Sequence, residues 1–265
     1  LVLNNFERQK TAPIKIVNLC EQPFAGSLRF GPLPGFTVSI PPGPVQLAAG
    51  SRLELPVTVT ADEMAAGEFQ LPFSLLRADG SVELERTIRI EHLGNRTRMV
   101  VRAIEDAHVI QRYPTRNWGT QNVLLVDGGN QAMNDADHAV ALLKFQLDIP
   151  GTPLTTKLRI VNAGNPTGDG GRICLVESPW QEKEVTYANR PPLGRELARL
   201  GPMVEHQTIE RVLDFVPPRS GTLSLAIDPT STDGVDYLSR ESGQPVELVI
   251  EYNADPREER VPGSR

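Results

Sequence analysis

Helical sequence is what this chain most lacks. Its 23 prolines and 22 glycines are spread along all 265 residues, and both residue types interrupt helices. No run approaches the roughly 18 apolar residues that a membrane-crossing helix needs, so no membrane span is expected. Cysteine is nearly absent. Cys20 and Cys174 are the only two, and they fall in different sequence blocks. That argues against a disulfide, and two thiols are too few for a structural zinc site. Basic charge is in deficit, with a formal net charge of −6. Nucleic acid is therefore not an expected partner, because such affinity comes from neutralising phosphates. Catalytic signatures are missing as well. There is no Gly-x-Ser-x-Gly elbow, no His-Glu-x-x-His pair and no phosphate loop. The four histidines, His92, His108, His138 and His206, stand in no such pattern, and no catalytic residue is assigned. The opening Leu-Val-Leu-Asn shows neither an initiator Met nor a signal-peptide layout, so the chain reads as processed, or as a piece of a longer one.

What is present is short strands. Runs of Val, Ile, Leu and Thr alternate with polar residues, which marks half-buried β-structure. Leu53, Leu55, Val57 and Val59 alternate in this way, and so do Phe69, Leu71, Phe73 and Leu75. About six such strands before residue 94 predict an immunoglobulin-like β-sandwich over residues 1–96. The polar stretch Gly94-Asn95-Arg96-Thr97-Arg98 predicts the joint. A second block spans 97–254. Its strand candidates are 100–110, 123–126, 139–147, 157–161, 172–176, 210–215, 222–227 and 246–252, which predict a jelly-roll β-sandwich. Leu193 to Leu200 is the one helical candidate. The charged tail 255–265, with Pro256 and Pro262, predicts disorder. The fold class is all-β.

Four stretches of the second block carry a family resemblance. The first is Ile104-Glu105-Asp106-Ala107-His108-Val109 with Asn117-Trp118-Gly119 and Leu124-Leu125-Val126. The second is Ala141 to Leu147, with Gln146 where the family usually has Asp. The third is Trp180-Gln181-Glu182-Lys183-Glu184-Val185-Thr186-Tyr187-Ala188-Asn189-Arg190-Pro191. The fourth is Ser231 to Glu241, closing on Pro245 to Ile250. In this order they resemble the DNRLRE-type carbohydrate-binding module found beside polysaccharide lyases. The resemblance implies a jelly roll that binds polysaccharides, alginate-like acidic ones prominent among them. The first block more loosely resembles the immunoglobulin-like domains appended to bacterial carbohydrate-active enzymes.

Candidate ligand contacts follow from chemistry. Guanidinium and ammonium groups pair with uronic-acid carboxylates, and aromatic faces stack on sugar rings. Arg112, Tyr113, Arg116, Trp118, Lys157, Arg159 and Arg190 are the candidate substrate-binding residues. Trp118 and Trp180 have two readings, as sugar platforms or as core and loop anchors. Lys144 lies between apolar residues and reads as half of a buried pair, and Arg240 reads as the anchor of a loop carboxylate. Clustered oxygens in sandwich loops suit calcium. Asp106, Asp135, Asp137, Asp233 and Asp236 are the candidate ligands of a structural calcium ion, with turn formation as the alternative role.

These readings predict a non-catalytic, monomeric carbohydrate-binding region of a bacterial protein, secreted or at the cell surface. Its expected partner is an acidic polysaccharide, with a catalytic domain elsewhere in the parent. The rival reading is a structural or adhesive sandwich segment of a large surface protein without glycan specificity.

Overall fold

The structure, a computed structural model, describes residues 1–254. It divides into two compact units, Leu1–Thr97 and the chain from Arg98 onward. The tail expected to be disordered, 255–265, lies outside the described residues.

The first unit contains β1 (Val2–Leu3), β2 (Gln9–Val17), β3 (Phe24–Phe30), β4 (Phe36–Ser39), β5 (Val45–Leu47), β6 (Arg52–Ala61), β7 (Gly67–Arg77) and β8 (Val82–His92). One sheet runs β1-β8-β7-β3-β5 and the other β2-β6-β4. The alternation explains the burial. Leu53, Leu55, Val57, Val59 and Ala61 turn to one side of β6. Val57 and Val59 meet Leu71 and Ile90 from the facing sheet. The β7–β8 hairpin turns at Gly80, whose φ of 85° suits a residue without Cβ. Asp79 Oδ1 accepts the Ser81 N–H at 2.9 Å there. Two packed sheets are the architecture expected. The strand order is not the constant-type immunoglobulin one, in which the first, second, fourth and fifth strands share a sheet. Here, counting from β2, the first, third and fifth do.

The second unit contains β9 (Arg96–Ile110), β10 (Val123–Val126), β11 (Ala139–Asp148), β12 (Gly151–Val161), β13 (Arg172–Val176), β14 (Glu196–Arg199), β15 (Thr208–Val212), β16 (Ser220–Asp228), β17 (Val235–Leu238) and β18 (Glu247–Ala254). Eight strands form a sheet in the order β14-β13-β16-β11-β9-β18-β12-β15, and β10 pairs with β17. The large sheet curls until its ends approach. The Asp214 N–H, just past β15, donates to the Leu197 carbonyl of β14 at 2.9 Å. Leu124 and Val126 of β10 and Val235 and Tyr237 of β17 join one core with Leu143, Phe145, Leu158, Leu225 and Leu248. The result is a β-sandwich of the jelly-roll kind.

β11 is buried from Ala139 to Phe145, which a strand with one solvated face cannot be. Its Ala141, Leu143 and Phe145 enter the main core. Val140 and Leu142 point the other way into a second cluster with Ala107, Val109, Ala226, Trp180 and Val185. The loop after β13 therefore lies across the outer face of the sheet. Trp180 is 7% exposed, and its Nε1–H donates to Ser224 Oγ at 3.2 Å.

One sequence expectation changes. Leu193 to Leu200 is not helical. Pro191, Pro192 and Gly194 precede a short run that pairs as β14 with β13, because sheet hydrogen bonds outweigh a weak local helix preference. The polar stretch read as the joint contains the division between Thr97 and Arg98, and β9 starts within it at Arg96.

Two outcomes are expected. Residues 1–97 and 98–254, prepared separately, each unfold in one cooperative transition by calorimetry; a broad, non-cooperative melt of either piece would contradict their autonomy. Trp180→Ala lowers the stability of the second unit by about 3–5 kcal/mol in chemical denaturation, and an unchanged midpoint would remove Trp180 from the core.

Candidate functional site

Loops at one edge of the second unit collect most of the predicted ligand contacts. The loop after β9 is fixed by its Asn-Trp-Gly sequence. Asn117 Nδ2–H donates to the carbonyls of Glu182 and Val185, both at 2.7 Å. A Cβ on Gly119 would lie 2.4 Å from the Glu182 carbonyl oxygen, so only glycine allows this close approach. Trp118, between them, is held half-buried. His108 stacks on it with ring centroids 5.4 Å apart. Burial pushes the His108 imidazole down to about 4, so the ring is neutral at pH 7 and stacks as an aromatic. The Arg116 guanidinium lies 3.9 Å from the Trp118 ring centroid, within cation–π range. Tyr113, 45% exposed, meets the same ring edge-on at 5.9 Å.

A second segment joins this edge. The Ala188 N–H donates to the Pro114 carbonyl at 2.8 Å, and the Tyr187 hydroxyl to Gln111 Oε1 at 2.7 Å. Arg190 repeats the stacking motif, with its guanidinium 3.6 Å from the Tyr187 ring centroid and Nη1–H bonded to the Tyr187 carbonyl. Beside it is a cavity of about 340 Å³ lined by His138, Arg190, Pro191, Leu193 and Asp228, among others.

Five of the predicted contacts thus gather here: Arg112, Tyr113, Arg116, Trp118 and Arg190. Their charges are not equivalent. Arg112 is held in a two-point ion pair by Asp137, both contacts at 2.6 Å. Arg116 and Arg190 form no ion pair among the described residues. Lys157 and Arg159 are elsewhere, on β12. Arg159 lies between Glu210 at 2.7 Å and Glu247 at 2.8 Å, and Lys157 reaches Glu210 at 3.6 Å. Arg102 adds a further contact to Glu247. This ladder across β9, β18, β12 and β15 has its charges matched from within. Tyr187, part of the quoted Thr-Tyr-Ala-Asn-Arg-Pro run, was not singled out from sequence, although its place beside Arg190 offered the clue.

The acidic candidates also divide. Asp135 shapes its own loop, accepting the N–H groups of Gln131 and Asp137, each at 2.8 Å. Those backbone bonds hold its carboxyl below the usual range. Asp137 is lowered by Arg112. Asp233 accepts the Gly168 N–H at 2.7 Å. Asp236 is raised by burial and then by Asp127. None of these four reaches Asp106. The acidic side chains that converge on Asp106 among the described residues are Glu182 and Glu241, which the sequence reading did not select as ligands. Asp106 is 1% exposed, and burial pushes its carboxyl up to about 7. Arg240 Nη2 contacts Glu182 Oε2 at 2.9 Å, as expected of a loop anchor, and Glu241 Oε1 at 2.7 Å. The second contact joins chain neighbours, which the 3-10 turn at Arg240–Ser242 allows. Lys144 pairs with Glu105 at 2.7 Å and also donates to the Trp180 carbonyl.

Comparison with known proteins adds to this geometry. A search of curated proteins gives no match. Among solved structures, the chain is similar to the secreted serine protease VesC from Vibrio cholerae, at 12% identity and a TM-score of 0.25. The similarity covers 94% of this chain and 47% of the protease, so this chain spans about half of that protein's length. It is also similar, at 12% identity and a TM-score of 0.24, to a structure described under the promiscuous specificity of carbohydrate-binding modules from the β-sandwich superfamily. That match covers 93% of this chain and 96% of the other. The model of carbohydrate-binding module family 96 matches residues 97–252, which takes in more than half of the chain and nearly all of the second unit. The chain belongs to carbohydrate-binding module family 96, and the matched unit is a binding module rather than a catalytic domain.

Proposed function

We propose that the edge formed by residues 111–118 and 187–190 binds an acidic polysaccharide. The observation that carries this reading is the state of Arg116 and Arg190. Each guanidinium is stacked on an aromatic ring, at 3.9 Å and 3.6 Å, and among the described residues no carboxylate forms an ion pair with either one. Stacking fixes the plane of the fork while leaving N–H donors available, the arrangement that suits two-point recognition of a carboxylate. Exposed Tyr113 supplies an apolar face beside them for a sugar ring. With aromatics at only 5% of the chain, stacking alone is a thin source of affinity, and charge on a uronate polymer supplies the rest. The net charge of −6 opposes this at long range, yet salt screens such repulsion beyond roughly 8–10 Å.

In this reading the protein is an accessory region of a secreted or cell-surface polysaccharide-degrading protein. Weak binding suffices for that role, because tethering raises the effective concentration of substrate at an attached catalytic domain.

The test is affinity electrophoresis against alginate, pectin and neutral β-glucans. Binding to the uronate polymers is expected, weakening as salt rises. Arg116→Ala weakens it about tenfold, the scale of one charge-assisted hydrogen bond, with the melting temperature unchanged. Lys157→Ala leaves binding unchanged. Tight binding to a neutral glucan that persists from low salt to about 1 M salt would defeat the proposal.

A further inference from the structure

We propose that Asp106, Glu182 and Glu241 form a calcium-binding site that pins the loop edge of the second unit. The three residues come from β9, from the loop after β13 and from the 3-10 turn before β18. Each offers a carboxylate oxygen, and the three oxygens lie within 4.8 Å of one another. Calcium binds oxygens at about 2.3–2.6 Å, so ligands on opposite sides of the ion stand about 4.6–5.2 Å apart. Oxygens within 4.8 Å of one another fall inside that span. Magnesium demands near-ideal octahedral geometry at about 2.0–2.1 Å and keeps several waters, so it is seldom held by an all-protein carboxylate set.

The hydrogen bonding points to a missing ligand. Asp106 is 1% exposed. Its Oδ2 accepts the Arg240 N–H at 2.8 Å, but its Oδ1 is buried with no partner, and so is Glu241 Oε2. Buried carboxylate oxygens left unpaired carry the full cost of desolvation. Elsewhere in the unit a buried carboxylate is answered by a cation, as Asp228 is by Arg172 at 2.7 Å. Here the charge balance is incomplete. Among the described residues, Arg240 is the one cation paired with this group, its Nη2 contacting Glu182 and Glu241. Nearby Glu105 has its own partner in Lys144. Three carboxylates and one guanidinium leave two negative charges, the amount a divalent cation neutralises. An all-oxygen donor set selects a hard cation.

The site would bind three distant segments into one edge. Glu182 also donates its N–H to Glu105 Oε2 at 2.9 Å and accepts the Asp106 N–H at 2.9 Å, and its carbonyl holds Asn117. An ion at this position therefore braces the loop that carries Trp118.

The test uses the full chain stripped with a chelator, then titrated with calcium or magnesium chloride by calorimetry and followed by thermal unfolding. No glycan is present, so the outcome is independent of the polysaccharide proposal. One calcium ion per chain is expected, with the melting temperature of the second unit about 5 °C or more higher at saturation. Magnesium at the same concentration gives a much smaller rise. Glu241→Gln, at the most exposed of the three positions, lowers calcium affinity at least about tenfold and removes the calcium-dependent rise. Asp106→Asn does the same if it folds; the wild-type titration and Glu241→Gln decide the matter if it does not. Identical melting with chelator and with calcium, together with no heat of binding, would overturn the site. An undiminished response in Glu241→Gln, or an equal response to magnesium, would overturn the assignment as well.

Discussion

The loops that carry the candidate glycan site are held to the second unit by buried charge. Asp106, on β9, receives the Arg240 backbone N–H on its carboxylate and gives its own N–H to Glu182. Glu182 in turn takes the Arg240 guanidinium on both carboxylate oxygens. One step away, Glu105 accepts both the Lys144 ammonium and the Glu182 N–H. Taking such groups out of water is costly, and losing one partner from a buried pair leaves the other uncompensated. The network therefore resists partial loosening. It fixes the backbone at residue 182, and that backbone fixes Asn117 and Gly119, which hold Trp118 on either side.

Rigidity of this kind bears on binding because ordering a loop at the moment of association subtracts from affinity. Here the side chains that would meet a ligand are set in advance. Arg116 rests on Trp118, Arg190 on Tyr187, and the segments that carry them are hydrogen-bonded to each other. The contrast with β12 is instructive. Lys157 and Arg159 are just as basic, but Glu210 and Glu247 lie directly opposite Arg159 on the paired strands, and Lys157 reaches Glu210 from two residues away. That face is a closed ladder of matched charges. Basic residues stay available to a ligand where no protein carboxylate answers them, and sequence spacing does not reveal which those are.

The two-residue alternation made most strands legible, because it reports which side chains turn inward. It says nothing about which strand lies next to which, so the strand order of the first unit was not readable. The short β14 and β17 were missed for a related reason. Glu-Leu-Ala-Arg and Val-Asp-Tyr-Leu lack the unbroken apolar run that marked four-residue β10, and their pairing comes from distant partners. Arg116 and Trp118, which the proposal places at the contact edge, were chosen by residue type and motif. Glu182 and Glu241 were passed over in favour of Asp135, Asp137, Asp233 and Asp236, since runs of aspartate look like metal loops. Those aspartates are committed to turns and local bonds, as short acidic side chains in loops commonly are. What gathers around Asp106 comes from residues 76 and 135 positions further along the chain, a distance that only the fold closes.

The most direct test of this account follows the two tryptophan indole N–H signals by NMR during titration with a uronate oligosaccharide. Trp180 is buried and hydrogen-bonded to Ser224, whereas Trp118 lies beside Arg116 and Tyr113 in the proposed contact edge. The Trp118 signal is predicted to shift progressively and saturate while the Trp180 signal stays in place. Saturable binding that moves neither indole, but perturbs residues around Lys157 and Arg159, would contradict it.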